Sequence, residues 1–170
     1  MTEQSLNNWF VFYTKSRTEK KINKKLNSLG YETFLPLQTR VSQWKDRKKH
    51  IDFPLFPSYI FVNTQEKIIP EILKMDGIVY VIKINNKPVI VNQKEIELIT
   101  KLIESKLEIE VQDNKIMIVT KIKFSSGVFK GYEGTVIKEE NSKKVIIKIE
   151  SLEKNLLIKF DTRKLKTIQN

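Results

Sequence analysis

Pro54-Leu-Phe-Pro-Ser-Tyr-Ile-Phe-Val62 is a nearly charge-free aromatic stripe, and Gly127-Val-Phe-Lys-Gly-Tyr-Glu-Gly134 is a glycine-punctuated turn between two strand patterns. In a strand over residues 58–63, Tyr59 and Phe61 point to one face and Ile60 and Val62 to the other. A sheet covered by helices on one side only leaves one of these pairs at the surface; a sheet covered on both sides buries all four. Leu55-Phe56-Pro57 precedes the strand, where a rigid proline turn is expected to present Phe56 outward. An exposed apolar patch of that kind marks a docking surface for another protein. The glycine cluster has no Gly-Lys-Ser/Thr and no strand-to-helix transition, so it is no phosphate loop; it suits a backbone reversal in a small barrel.

Upstream of the stripe, Trp9-Phe-Val-Phe-Tyr13 reads as a buried first strand. Ile22, Leu26 and Leu29 then recur at helical spacing, with Ser16 and Glu19 as a capping box and Gly30 as the stop. Tyr31–Leu35 reads as a strand, and residues 39–52 as a hairpin whose polar tip is Trp44-Lys-Asp-Arg-Lys48. Downstream, a helix is expected over Lys67–Met75 with Pro70 near its first turn and Gly77 at its end. Two strands follow around Asn85-Asn86, and then a helix from Gln93 to about Ser105 with Ile96, Ile99, Leu102 and Ile103 as its buried stripe. Charged residues 106–115 read as a linker. Beyond them helical periodicity vanishes, and short strands at Ile118–Phe124, Thr135–Lys138, Val145–Ile149 and Leu156–Phe160 predict a small β-barrel.

The fold class expected is therefore α+β: an antiparallel sheet flanked by helices over residues 1–105, the linker 106–115, and a barrel over residues 116–170. Val145, Ile146, Ile147 and Ile149 are β-branched and disfavour helix, so the barrel is expected to be formed in the free protein and tethered by the linker.

The chain has 170 residues, 40% of them hydrophobic, and 31 Lys and Arg against 20 Asp and Glu, a net charge of +11. This is a folded, basic protein that attracts polyanions; a Lys-rich composition bias is the bland alternative. It has no cysteine and one histidine, His50, which excludes disulfides, thiolate metal sites and a cysteine nucleophile. With no paired carboxylates in a cleft, no enzyme, metal or cofactor is expected. No leader or membrane-spanning pattern is visible, so a soluble, cytoplasmic chain, monomeric and with no membrane association, is expected.

The positive charge is clustered. Lys15, Arg17, Lys20, Lys21, Lys24 and Lys25 surround the start of the first helix with Glu19 alone against them. Lys45, Arg47, Lys48 and Lys49 adjoin Trp44 and His50 at the hairpin tip. Cations beside an aromatic suit an unpaired base stacked on the ring with its phosphates held by the charges. A solvated helix face, and a charged edge that blocks strand-to-strand aggregation, are the structural alternatives.

Taken in order, Trp9–Tyr13, Arg17-Thr-Glu-Lys-Lys21, Phe34-Leu-Pro36, Trp44–Lys49 and Pro54–Val62 resemble the N-terminal domain of the NusG-type transcription elongation factors. Ile122-Lys-Phe-Ser-Ser-Gly127-Val-Phe-Lys-Gly131-Tyr-Glu-Gly-Thr-Val136 looks like a KOW motif, which implies an SH3-like barrel. Tyr13, Leu55-Phe-Pro-Ser-Tyr59 and Gln43-Trp-Lys-Asp-Arg-Lys-Lys49 look like the specialised paralogs of that family, the RfaH-like and UpxY-like antiterminators of particular long operons. The resemblance implies a non-enzymatic transcription elongation and antitermination factor. Its N-terminal domain would grip the clamp helices of the RNA polymerase β′ subunit, reach toward the β subunit and touch the non-template DNA strand. Carried onto this sequence, Tyr13, Leu55, Phe56, Pro57, Tyr59 and Phe61 fall at polymerase-binding positions. Lys15, Arg17, Lys21 and Lys45 fall where paralogs meet DNA, with Trp44 as a stacking residue beside them. The KOW domain of the family recruits Rho or ribosomal protein S10, but Ile149-Glu-Ser-Leu152 lacks the aromatic and the arginine of the usual partner loop. Phe53 stands where an autoinhibited paralog has a carboxylate. The rival class is a ribosome-associated RNA-binding KOW protein with no polymerase docking, for which an apolar docking face has no use.

Overall fold

The alternation of Trp9-Phe-Val-Phe-Tyr13 places an apolar side chain on both faces of one strand, and such a strand belongs in the middle of a sheet. In the computed structural model, which describes residues 7–44, 47–113, 120–124, 129–139 and 142–160, that is where it lies. Strand β1 (Asn8–Thr14) pairs antiparallel with β5 (Tyr59–Thr64) along one edge, and with β6 (Ile78–Val81) and β9 (Ile90–Val91) along the other. Strand β2 (Glu32–Phe34) extends the sheet beyond β5. Phe10, Phe12, Ile60, Val62, Ile78 and Val81 form one face, packed with Ile22 and Leu26 of helix α1 (Glu19–Ser28) and with Ile69 and Ile72 of the short helix α2 (Ile69–Ile72). Each fully buried side chain of this size stabilises the fold by about 1.5–3 kcal/mol relative to exposure, which makes this cluster the core.

Helix α1 begins without the expected capping box. Thr18 holds the N-cap position with no side-chain cap, and the Glu19 carboxylate turns inward. Its end is as predicted: Gly30 takes φ +85°, and the Tyr31 N–H donates back to the Leu26 carbonyl at 3.1 Å. Strands β3 (Leu37–Trp44) and β4 (Arg47–Pro54) form the expected hairpin, a two-stranded sheet of its own. The helix expected over residues 67–75 is shorter: a 3-10 turn at Glu66–Ile68 leads into α2. Strands β7 (Lys83–Ile84) and β8 (Lys87–Pro88) flank Asn85 and Asn86, both at positive φ, which is the tight turn that asparagine pairs favour.

The chain divides into two units, Met1–Gln93 and Lys94–Asn170. Helix α3 (Gln93–Glu104) buries Ile96, Leu98, Ile99 and Leu102, so Leu98 takes the place expected for Ile103. The second unit also contains a five-stranded antiparallel sheet. Its order is β10 (Ile109–Asp113), β14 (Lys154–Phe160), β13 (Ser142–Ile149), β12 (Glu133–Glu139), β11 (Thr120–Lys123). The linker expected at residues 106–115 is thus corrected. Ile109–Asp113 is a strand paired with β14, and Ile109 is fully buried. Leu107, Ile109 and Val111 alternate with Glu108 and Glu110, the pattern of a half-buried strand, and the acidic residues made it read as a linker. Residues 145–149 and 154–160 are strands, as the β-branched run Val145-Ile-Ile147 and the alternation of Leu156, Ile158 and Phe160 predict. Gly127 lies outside the described residues.

Among the described residues all the paired strands are antiparallel and the helices few, so the fold is α+β. Among the described residues no helix is long and apolar enough to cross a membrane.

At Gly134 a Cβ would lie 3.0 Å from the Ile146 carbonyl oxygen and 3.1 Å from a Val145 methyl. Gly134→Ala should therefore overpack the β12–β13 contact and lower stability by about 1–3 kcal/mol, measurable as an earlier urea midpoint.

Candidate functional site

Three strands deliver tyrosines to one place. Register sets Tyr13, near the end of β1, opposite both Tyr59 at the start of β5 and Tyr80 in β6. The rings of Tyr13 and Tyr80 stack with centroids 4.8 Å apart and 2° between their planes. Tyr13 meets Tyr59 edge-on at 5.9 Å, and Tyr59 stacks on Phe56 at 6.4 Å. From Phe56 the rings continue through Phe61 at 5.9 Å and the half-buried Phe34 at 5.7 Å to Trp9 at 6.5 Å. Trp9 in turn donates its indole N–H to Gln93 Oε1 at 2.9 Å.

Exposure falls from the outer tyrosines to Phe56 and Phe61. Tyr80 is 48% exposed, Tyr13 and Tyr59 are half-buried, and Phe56 is 2% exposed. The expectation that Phe56 faces outward is therefore corrected: Leu55, Phe56 and Phe61 are core residues, and for them the sheet is covered on this face too. The proline turn directs Phe56 inward because its ring has Phe61 and Tyr59 to pack against. The surface part of the expected polymerase-binding set is Tyr13, Pro57 and Tyr59. Tyr80 and the 51% exposed Val79 join it and were not foreseen. Strict alternation would separate them, but the β1–β6 register shifts between Tyr13 and Thr14, so Ile78 and Val81 are both buried while Val79 and Tyr80 both face out. The line of exposed residues 79–80 between two buried ones has no simple periodic signature.

The turn that carries Pro57 closes through the Tyr59 N–H, which donates to the Phe56 carbonyl at 3.2 Å. Pro57 occupies its second position and Ser58, at φ +63°, its third, the requirement of a type II turn that glycine usually meets. For serine this conformation costs about 1 kcal/mol. The Ser58 N–H, unused by the turn, donates to Glu19 Oε1 at 2.9 Å, and both residues are buried. The Ser58 carbonyl accepts the Thr14 N–H at 2.7 Å.

The cations lie next to this turn. Lys15 follows Thr14, and its N–H donates to the Gly77 carbonyl at 2.8 Å. Its ammonium pairs with Asp76 at 3.1 Å. The hydrogen bond from Lys15 and then its charge hold the Asp76 carboxyl below the usual range, and the charge of Lys21 adds to this. Lys15, Arg17, Lys20, Lys21, Lys24 and Lys25 are all exposed, while Glu19, Ile22 and Leu26 face in. Lys15 is thus tied to the strand end next to Tyr13, and Lys21 shares its influence on Asp76. Trp44 ends β3 opposite Arg47, and Lys45 lies outside the described residues. Phe53, 43% exposed, faces Gln38 across the hairpin.

In the second unit, the loop expected to meet a partner is the 3-10 turn Glu150–Leu152. The Ser151 N–H and hydroxyl both donate to the Glu95 carboxylate, at 3.1 and 2.7 Å. Lys148 pairs with Glu150 at 2.6 Å. Lys101 lies 5.4 Å from the Tyr132 ring centroid. Among the described residues no cluster of His, Cys, Asp or Glu could hold a metal ion.

Phe56→Ala should remove a core ring and cost about 3–5 kcal/mol of stability. Tyr80→Ala should leave the denaturant midpoint nearly unchanged; comparable losses from the two would contradict the burial order. In Lys15→Ala the Asp76 carboxyl should titrate at higher pH, followed by its carbon chemical shift. Because the folded-state value is depressed, the pair's small contribution is present above the unfolded carboxylate pKa and lost as pH falls through the folded one.

Residues 7–100 match the family described as "Transcription termination factor nusG". No curated protein matches. Among solved structures, that of Thermotoga maritima NusG, described under "Domain interaction", is similar with 20% identity and a TM-score of 0.54, over 89% of this chain and 92% of that one. At that identity it supports the fold alone. An MjSpt4:Spt5 complex in conformation A is 14% identical over 95% of this chain and 99% of that one, but its TM-score of 0.31 carries no structural argument.

Proposed function

The chain belongs to the NusG family, and on that premise we propose that it is a non-enzymatic transcription elongation factor of the specialised antitermination type. It docks on the β′ clamp helices of RNA polymerase and reaches toward the β subunit through its N-terminal unit. The observation that carries the reading is the partly exposed line of rings Tyr80, Tyr13 and Tyr59, with Pro57 and Val79 around it and Lys15 and Arg17 beside it. Aromatic side chains half in and half out of a rigid sheet lose little entropy on binding, which makes them suitable anchors for a helical partner. Leu55, Phe56 and Phe61 hold that surface from beneath and do not touch the partner.

Lys15, Arg17 and Lys21 contact the phosphates of the non-template strand, with Lys45 and Trp44 of the hairpin tip as a second contact. The second unit is a KOW-like barrel following an N-terminal domain of the NusG type. A role for it in binding Rho or ribosomal protein S10 is weakened by the absence of an aromatic or arginine in Ile149-Glu-Ser-Leu152.

Affinity capture from lysate should recover RNA polymerase with the wild type and lose it with a Tyr13→Ala, Tyr80→Ala pair that still folds. Recovery of ribosomal RNA without polymerase would overturn the reading in favour of a ribosome-associated protein. Truncating one buried interface anchor typically costs about 2 kcal/mol, roughly thirtyfold in affinity. Reversing Lys15, Arg17 and Lys45 to Glu should abolish binding to single-stranded DNA while sparing polymerase capture. Each phosphate contact should contribute about −0.7 to the slope of log affinity against log salt; salt-independent binding would refute the phosphate contacts.

A further inference from the structure

Glu19 is a carboxylate with 5% exposure, placed first in a helix whose other early residues are cations in water. Its position has an energetic reason. A buried amide with no acceptor is costly, and the turn at Phe56–Tyr59 leaves the Ser58 amide without one inside the turn. Glu19 supplies it from 39 residues away in sequence, through a charge-assisted bond of 2.9 Å. Glu19 directly follows the segment Lys15–Thr18, which closes on itself through the Thr18 N–H to the Lys15 carbonyl at 3.2 Å. There the Thr18 hydroxyl donates to the Lys15 carbonyl at 2.6 Å, and Arg17 sits at φ +65°. Two backbone segments at positive φ, one carrying Lys15 and Arg17 and the other Pro57 and Ser58, are thus joined by one buried hydrogen bond. The Thr14 N–H, bonded to the Ser58 carbonyl, ties the same turn to the strand that runs into Lys15.

We propose that Glu19 is a positioning residue that couples the two surfaces, so that holding a nucleic-acid strand at Lys15, Arg17 and Lys21 orders the Phe56–Tyr59 turn for docking on a helical protein partner. The inference rests on the docking reading above. Phosphates at the cations fix the Lys15–Thr18 segment and with it the Glu19 backbone. The carboxylate then holds the Ser58 amide, and with it the left-handed conformation that presents Pro57 and Tyr59. By reciprocity, a partner docked on the turn strengthens nucleic-acid binding by the same factor.

The test uses the full chain, a single-stranded DNA oligonucleotide, and a fragment carrying the β′ clamp helices. In the wild type, saturating fragment should raise oligonucleotide affinity about fivefold or more, the usual lower range of such coupling. Glu19→Ala should reduce that gain to near one while changing affinity for the oligonucleotide alone by less than about twofold. Glu19→Gln keeps an acceptor oxygen and should restore most of the gain, a rescue that a purely electrostatic role of the carboxylate would not give. In the wild type, oligonucleotide addition should also move the Ser58 amide resonance, a readout that stands even where Glu19→Ala fails to fold. Mutual gain preserved in a folded Glu19→Ala, or a Ser58 amide that ignores the oligonucleotide, overturns the coupling. If both ligands bind without mutual gain, the coupling fails and the docking reading stands; if neither binds, the docking reading fails and takes this inference with it.

Discussion

Everything in the first unit depends on β1 being a central strand with no polar face. It exchanges ladder hydrogen bonds along both edges, and Trp9, Phe10, Val11 and Phe12 are buried on its two faces. Phe10 and Phe12 commit one face to helices α1 and α2. Trp9 and Val11 are buried on the other face, and only at Tyr13, close to the last ladder position, does that face reach solvent. The surface aromatics are therefore the continuation of a core, and their rigidity is inherited from it. A patch built on a loop would have to be ordered on binding, whereas the strand-borne rings of Tyr13 and Tyr80 are held by the sheet and only the Phe56–Tyr59 turn beside them is left to be set.

The same strand decides where the charge lies. Once β1 ends at Thr14, the chain must turn back toward α1, and the turn takes the cations to the rim of the aromatic face. Apolar docking and phosphate binding have opposite solvent requirements, since one needs dry surface and the other needs a wet one that salt can screen. On the proposed reading, Tyr13 and Lys15 on either side of Thr14 at a strand end let each contact keep its own environment.

Much of this was legible in the sequence, and the failures have physical causes. The alternation at Tyr59-Ile-Phe-Val62 assigned faces correctly, as did the helical spacing of Ile22 and Leu26; Leu29, expected on the same face, is 59% exposed because the helix ends at Ser28 before it. Asn85-Asn86 was readable because its turn chemistry is local. Phe56 was misjudged because a proline turn sets direction only relative to its neighbours, and Phe61 supplies the reason to turn inward. Tyr80 escaped notice because a one-residue bulge cancels the period on which face assignment relies. Leu107-Glu-Ile-Glu-Val111 alternates correctly and was overridden by its charge. The bond between Glu19 and Ser58 joins residues far apart in the chain, and a serine in place of a glycine at the turn offers no sign of its partner.

The hairpin β3–β4 makes its ladder bonds within itself, a two-stranded ribbon apart from the larger sheets. A ribbon of that kind contributes little to the global barrier and can open while the five-stranded sheet stays intact. Its amides should exchange with solvent deuterium at rates set by local opening, insensitive to substitutions that destabilise the β1 core. Stability and adaptability are thereby assigned to different parts of one unit, so the hairpin tip can change in sequence without affecting the fold that supports it.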